Sequence, residues 1–210
     1  MTPRPIIFSA PMVRALIDGR KTMTRRLAWK VADRQPDIIA GGSHARMSAI
    51  VRRSSPWQRV RPGDRLWTRE TWKPHALYAH TKPRDIPPST VFYRADDQYA
   101  PSNTKWVSPI HMPRWASRLT LVVTATKIER LQEISAKDCL AEGIPPITEQ
   151  SFWNPPIPAE PNLPAIYRGA FACLWAEIHG PDSWDANPEV VALTFRVVRA
   201  NIDSAEARTP

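Results

Sequence analysis

The sequence predicts an α+β domain: a small mixed β-barrel with short flanking helices and long proline-rich loop insertions. Three observations point there. The chain has 210 residues, within single-domain range and long enough to bury a good core. Five segments read as strands and three as short helices. The 23 prolines cluster at Pro74–Pro88 and Pro145–Pro164, and a residue with fixed φ and no N–H does not suit a central strand. The insertions are expected at about 27–60, 73–106 and 145–165 of a domain spanning 1–200. Residues 201–210 are expected to form a flexible tail, because Asn201–Pro210 has no apolar periodicity.

The expected strands are Pro5–Phe8, Arg65–Thr68, Thr90–Arg94, Arg118–Ile128 and Val190–Val198. The fourth carries Leu119-Thr120-Leu121-Val122-Val123-Thr124-Ala125-Thr126, a run with the β-branched richness of a strand. The first helix is expected from Ala10 to Asp18, with Ser9 as N-cap, Gly19 just past its end, and Val13, Leu16 and Ile17 on its apolar face. The second runs from Ser135 to Glu142 and stops at Gly143. The third covers Tyr167–His179 before Gly180-Pro181. There Phe171, Leu174, Trp175 and Ile178 fall at i, i+3, i+4 and i+7, a stripe expected in the core.

Charge narrows the partners. Against 29 basic residues stand 20 acidic ones, a net charge of +9. Residues 1–84 hold 18 Lys/Arg and 5 Asp/Glu, whereas residues 85–210 hold 11 and 15. That asymmetry points to an anionic partner for the first half, phosphate or nucleic acid. No stretch approaches the roughly 18 apolar residues of a membrane span, and the first residues do not resemble a signal peptide. A cytoplasmic protein with no membrane partner is expected. Cys139 and Cys173 cannot form a disulfide framework or a complete zinc site, and the five His lack ligand spacing. Both cysteines are expected in the core, and no metal or other cofactor is expected.

The densest chemistry lies in Asp18-Gly19-Arg20-Lys21-Thr22-Met23-Thr24-Arg25-Arg26. Two hydroxyls and four cations follow a helix end. Arginine offers a planar fork of donors, and crowding or desolvation lowers a lysine's pKa. A threonine near a neutral lysine can act as a nucleophile. The alternative is a solvated basic turn. In Arg61-Pro62-Gly63-Asp64-Arg65-Leu66-Trp67-Thr68-Arg69-Glu70-Thr71-Trp72, a tight turn leads into a strand. Alternation puts Trp67 and Arg69 on one side, and Glu70 and Trp72 follow. Trp67 or Trp72 could stack on a base and Glu70 could hydrogen-bond its edge. The alternative is a half-buried strand with paired charges. Glu142 ends a short helix, where a carboxylate opposes the helix dipole unless a cation sits near it. His111 is a further substrate contact, or a packed entry to the long strand.

These pieces, in this order, resemble the ASCH superfamily of small PUA-like β-barrels. The matching elements are Asp18–Arg26, Pro62-Gly63-Asp64-Arg65-Leu66-Trp67, the strand ending Val122-Val123-Thr124-Ala125-Thr126, the helix closing at Ala141-Glu142-Gly143, and the last strand around Leu193-Thr194-Phe195. The segments His111–Arg118 and Trp184-Asp185-Ala186-Asn187-Pro188 resemble longer bacterial and phage members. The resemblance implies one of two activities. Some members are amidohydrolases that remove the acyl group from N4-acylcytidine with a Lys, a Thr and a Glu; the matching positions are Lys21, Thr24 and Glu142. Others bind RNA or are described as ribonucleases. The first is the expectation, with Arg20, Arg26, Trp67, Glu70, Trp72 and His111 as substrate-binding candidates and a modified pyrimidine nucleoside as partner. RNA is the alternative partner, and a monomer is expected. Large insertions, absent from the compact hydrolases, leave the substrate's size open.

Hydrolysis of an amide needs a nucleophile, a proton carrier and oxyanion stabilisation. Thr24 can attack, with Lys21 as base and Glu142 orienting it. In a second version Glu142 activates water and Lys21 stays cationic against the oxyanion.

Overall fold

The computed structural model describes residues 3–32, 51–96, 103–146 and 162–207. In chain order they form strand β1 (Arg4–Ile7), helix α1 (Ala10–Ile17), strands β2 (Met23–Leu27), β3 (Trp29–Ala32), β4 (Val51–Ser54), β5 (Arg65–Arg69), β6 (Trp72–Pro74), β7 (Val91–Tyr93) and β8 (Thr120–Arg130), helices α2 (Ala136–Ala141) and α3 (Leu163–His179), and strand β9 (Glu189–Val198). No helix among them is long and apolar enough to cross a membrane.

The main sheet has five strands in the order β1-β5-β8-β9-β2. β1 runs parallel to β5, and the other pairs are antiparallel. β3 with β4 and β6 with β7 form separate two-stranded sheets. The mixed α+β class is as expected. A closed barrel is not found among the described residues, because β1 and β2 remain the two edges of the main sheet. A side chain bridges those edges where a ladder would close a barrel. Arg26 on β2 donates from Nη2 to the Ile7 carbonyl on β1 at 2.8 Å, and its guanidinium lies 5.3 Å from the Phe8 ring.

β9 reads Glu-Val-Val-Ala-Leu-Thr-Phe-Arg-Val-Val, and Val190 through Leu193 are all buried. Such a continuous apolar run suits a strand covered on both faces. Its partner β8 slips register between Val123 and Ala125, a bulge that leaves one residue unpaired and bends the strand. Before the bulge β8 is mostly buried; after it, Thr124 to Arg130 are largely exposed.

Three cores hold the fold. The first packs α1 on the sheet through Ile6, Phe8, Val13, Leu16, Leu66, Leu121, Leu193 and Phe195, and it also takes in Ala28, Trp57 and Val60. The region expected as an insertion at 27–60 therefore contributes to the main core. The second joins α2, α3 and the start of β9 through Leu131, Ile134, Cys139, Phe171, Trp175 and Val190. The third lies at the first proline cluster and joins Trp72, Ile86, Met112 and Ala116. Most of the third expected insertion falls outside the described residues.

Three sequence expectations are corrected. Ile178 is 61% exposed, because the contacts of α3 with the second core stop at Trp175. Cys139 is buried but Cys173 is exposed; two residues on from Phe171, it sits about 200° round the helix, on the opposite face. The tail is packed as far as Ala207. Ile202 and Ala207 are buried, and Asn201 Nδ2 donates to the carbonyls of Arg114, Trp115 and Ser117 at 2.9, 3.2 and 2.7 Å. Polar clamping fixes this segment, which is why apolar periodicity did not reveal it.

Candidate active site

The segment after α1 is not a solvated turn. Gly19 takes a positive φ of 74°, which lets the chain leave the helix without a Cβ clash. Lys21 N then donates to Ala15 O at 2.9 Å and Thr22 N to Ala141 O at 2.8 Å, while Phe195 N donates to Thr22 O at 2.9 Å. These bonds tie the entry of β2 to α1, to the end of α2 and to β9. Lys21, Thr24 and Arg25 are each only 2% exposed.

Glu142 is the C-cap residue of α2 and is 4% exposed. Ser135 caps the other end, its hydroxyl accepting from Asp138 N at 3.1 Å. Lys21 Nζ donates to Glu142 Oε2 at 2.8 Å and to the Glu142 carbonyl at 2.7 Å. The cation thus meets both the carboxylate and an orphan carbonyl of the helix end, where positive charge is favoured. Gly143 makes this approach possible. Its φ is +94°, and a Cβ there would lie 3.2 Å from Ala15 Cβ and 3.3 Å from Lys21 Cβ.

The other carboxylate oxygen is held by Arg25, whose Nη1 donates to Glu142 Oε1 at 3.1 Å. Arg25 also donates from Nε and Nη2 to Glu129 Oε1 at 3.0 and 2.7 Å, and from Nη2 to Asp138 Oδ2 at 2.8 Å. Lys127 completes the chain, reaching Glu129 at 2.9 Å and Asp138 at 3.4 Å. Cations and carboxylates therefore alternate from Lys21 to Lys127. Sequence reasoning named Arg25 only as a neighbouring charge. A signal was present: Asp138 and Glu142 are four apart, so they share one face of α2 and call for a common cation.

Burial lowers the Lys21 pKa from its ordinary value; Glu142 acts in the opposite direction, and Arg26 and Arg25 add to the lowering. Removing water disfavours an ammonium ion, so Lys21 is the cation of this network best placed to release a proton. Thr24 follows by strand alternation on the side of β2 opposite Arg25, with Arg26. That is the side of Phe8, whose ring lies 5.7 Å from Lys21 Nζ and 5.3 Å from the Arg26 guanidinium. The Thr24 hydroxyl takes no part in the Lys21–Glu142 hydrogen bonds.

Of the expected substrate contacts, Arg20 and Arg26 lie beside this group. Arg20 donates to the Gly143 carbonyl at 3.3 Å and to Asp18 at 3.0 Å. The other four are elsewhere: none of their contacts is with Lys21, Thr24 or Glu142. Trp67 is buried with the Arg69 guanidinium 4.7 Å from its ring. Trp72 is fully buried, edge-on to Trp115 at 6.5 Å. Both rings are engaged within the protein. Glu70 does not offer its edge either. Its oxygens accept from Arg118 Nε and Nη2, each at 2.9 Å, and Arg118 also pairs with Asp96 at 2.7 Å. Burial raises the Glu70 pKa and Arg118 opposes that rise. β5 is buried on both faces through Leu66, Trp67 and Thr68, and the carboxylate that follows it, Glu70, is paired within the protein. His111 is exposed and lines a separate cleft with Arg69.

The segment Trp184–Pro188 is structural. Trp184 meets the Phe171 ring edge-on at 6.3 Å, and Asn187 Oδ1 accepts from Gln132 N at 3.0 Å. Among the described residues no group of three or more His, Cys, Asp or Glu is arranged to hold a metal ion. Comparison with family models, with curated proteins and with solved structures finds no match.

Proposed function

We propose that this chain is an amide hydrolase that removes the acyl group from N4-acylated cytidine or cytosine, built on an ASCH-type, PUA-like fold. The observation that carries the reading is the buried Lys21–Glu142 pair with Thr24 three residues from the lysine. A lysine stripped of water and crowded by Arg25 and Arg26 can be neutral in part and act as a base. Arg25 fixes the far oxygen of Glu142, so Glu142 presents its near oxygen to Lys21 and orients it, as a third group orients the base in hydrolytic triads.

In the reaction, Thr24 Oγ1 adds to the acyl carbonyl carbon and its proton passes to the neutral Lys21 Nζ. The tetrahedral intermediate collapses with cleavage of the C–N4 bond. Lys21 returns the proton to N4, and cytidine leaves. Water then adds to the threonine ester, giving its proton to Lys21. When the ester C–O bond breaks, Lys21 reprotonates Thr24 and the carboxylic acid departs. Arg26, on the side of β2 that carries Thr24, supplies positive charge for the oxyanion.

The test is to incubate the protein with a panel of N4-acylcytidines and separate the products. Release of cytidine and the matching acid is expected, acyl groups larger than acetyl included. Thr24→Ala should abolish turnover while Thr24→Ser retains part of it. Near-normal turnover by Thr24→Ala would exclude the threonine ester and leave water activated by Glu142. No release from any substrate would reject the hydrolase and favour RNA binding or cleavage.

A further inference from the structure

Away from the Lys21–Glu142 pair, a cleft of about 670 Å³ is lined by Arg69, Lys82, Pro83, Arg84, Ile110, His111, Met112 and Pro113. Its lining contains Arg and Lys but neither Asp nor Glu. Arg69 is the innermost cation. It ends β5, stacks at 4.7 Å on Trp67 and donates from Nη1 to Ile110 O at 3.0 Å. Its Nε is buried and has no hydrogen-bond partner, and no carboxylate pairs with it among the described residues. A guanidinium has five N–H donors. The carboxylate next to it in the chain, Glu70, is committed to Arg118. Lys82 and Arg84 stand at the rim, both exposed. Arg84 approaches Asp85 at 3.6 Å, with both side chains open to solvent, where such a pair is weak.

A concave site with an arginine fork, two further cations and no acid selects an anion. Planar guanidinium matches the paired oxygens of a phosphoryl group, and lysine adds a point charge. The flanking Pro83, Ile110, Met112 and Pro113 give an apolar wall for whatever carries that group. We infer that this cleft binds a phosphoryl group, with Arg69 as the anchoring fork and Lys82, Arg84 and His111 around it. The phosphoryl group can belong to a mononucleotide or to an RNA strand. The inference is independent of the hydrolase reading, since none of these residues touches Lys21, Thr24 or Glu142.

The experiment is a calorimetric titration of the full chain with cytidine, cytidine 5′-monophosphate and a short single-stranded RNA, at two salt concentrations. It is repeated with Lys82→Ala/Arg84→Ala, a double change at exposed positions, and with Arg69→Lys, which keeps the charge but loses the fork. A phosphate-bearing probe should bind more tightly than cytidine. The double variant should weaken it by about tenfold or more, and the loss should shrink at high salt. Binding of the monophosphate marks a nucleotide site; binding of the RNA alone, with a steep salt dependence, marks a strand. Two results overturn the inference: phosphate-bearing probes bind no better than cytidine, or the folded double variant binds them as tightly as the parent. Either can occur whether or not the protein deacylates cytidines, so the two readings fail separately.

Discussion

Arg25 Nη1 donates to Glu142 Oε1 at 3.1 Å, to the carboxylate oxygen that Lys21 does not use. With Lys21 Nζ on Oε2 at 2.8 Å, the carboxylate is gripped on both sides in a buried setting. Breaking a buried pair from one side leaves an uncompensated charge, at a cost of about 3–5 kcal/mol. Glu142→Ala strands two cations at once and should sit at the upper end of that range. Arg25→Met strands Glu142, Glu129 and Asp138 with only Lys21 and Lys127 between them and should be comparably harmful. Urea unfolding of both variants checks this, and a loss below about 1 kcal/mol would show that solvent reaches the network.

Gly143 and Gly63 both hold positive φ, at +94° and +89°. Alanine at Gly63 would meet nothing within 4 Å, whereas at Gly143 it would press on Ala15 and Lys21. Gly63→Ala should cost about 1–2 kcal/mol, the price of the left-handed backbone alone. Gly143→Ala should cost about 2–4 kcal/mol, since overpacking is added, and should lower activity by displacing Lys21. Equal thermal shifts for the two would contradict the close approach at Gly143.

Two groups give the pH dependence a common sign. Burial lowers the Lys21 pKa from 10.5. Between the folded value and 10.5 the unfolded chain binds the extra proton, so stability rises with pH across that window. For Asp138, burial acts to raise the pKa, but Arg25 and then Lys127 outweigh it and hold the carboxyl below 3.8. That contribution is present above pH 3.8 and is lost as pH falls through the lower, folded value. Asp138→Asn should flatten the acid limb of stability, whereas Lys21→Met should remove the rise with pH below 10.5. If Lys21 is the base, kcat/KM should also rise with pH through its folded value and then level off.

Asn201 Nδ2 serves three backbone carbonyls, of Arg114, Trp115 and Ser117. Asn201→Ala removes the donor and leaves these acceptors to water or to nothing. A loss of about 1–3 kcal/mol is expected, measured by thermal unfolding. Truncation after Arg199 should cost more, since Ile202 and Ala207 leave the core with it. A truncated chain as stable as the parent would restore the expectation of a loose tail.

What the sequence made legible follows from period and punctuation. β1, β5, β7, β8, β9 and the three helices lie within a few residues of their expected places because β-branched runs, the Ser135 cap and stops at Gly19, Gly143 and Gly180 are local signals. β2 was missed because Met23-Thr24-Arg25-Arg26-Leu27 looks like a charged turn; its strand character comes from pairing with β9 and from carboxylates that arrive from α2 and β8. β6 was missed because Trp72-Lys73-Pro74 contains a proline. At the site, residue types marked Lys21 and Glu142, and the structure brings them to 2.8 Å. The stacking roles expected of Trp67 and Trp72 rested on residue type alone. Neither burial nor the Glu70–Arg118 pairing can be read from alternation within one strand.

The most direct measurement is the rate of cytidine release from N4-acetylcytidine and one bulkier N4-acylcytidine, for the parent chain beside Glu142→Gln, which keeps the carboxylate's shape but removes the charge facing Lys21. The Lys21–Glu142 account predicts release by the parent and a fall of about 10²-fold or more in the variant, with far-ultraviolet circular dichroism unchanged. Release at the parental rate by a folded Glu142→Gln, or no release by the parent, would contradict it.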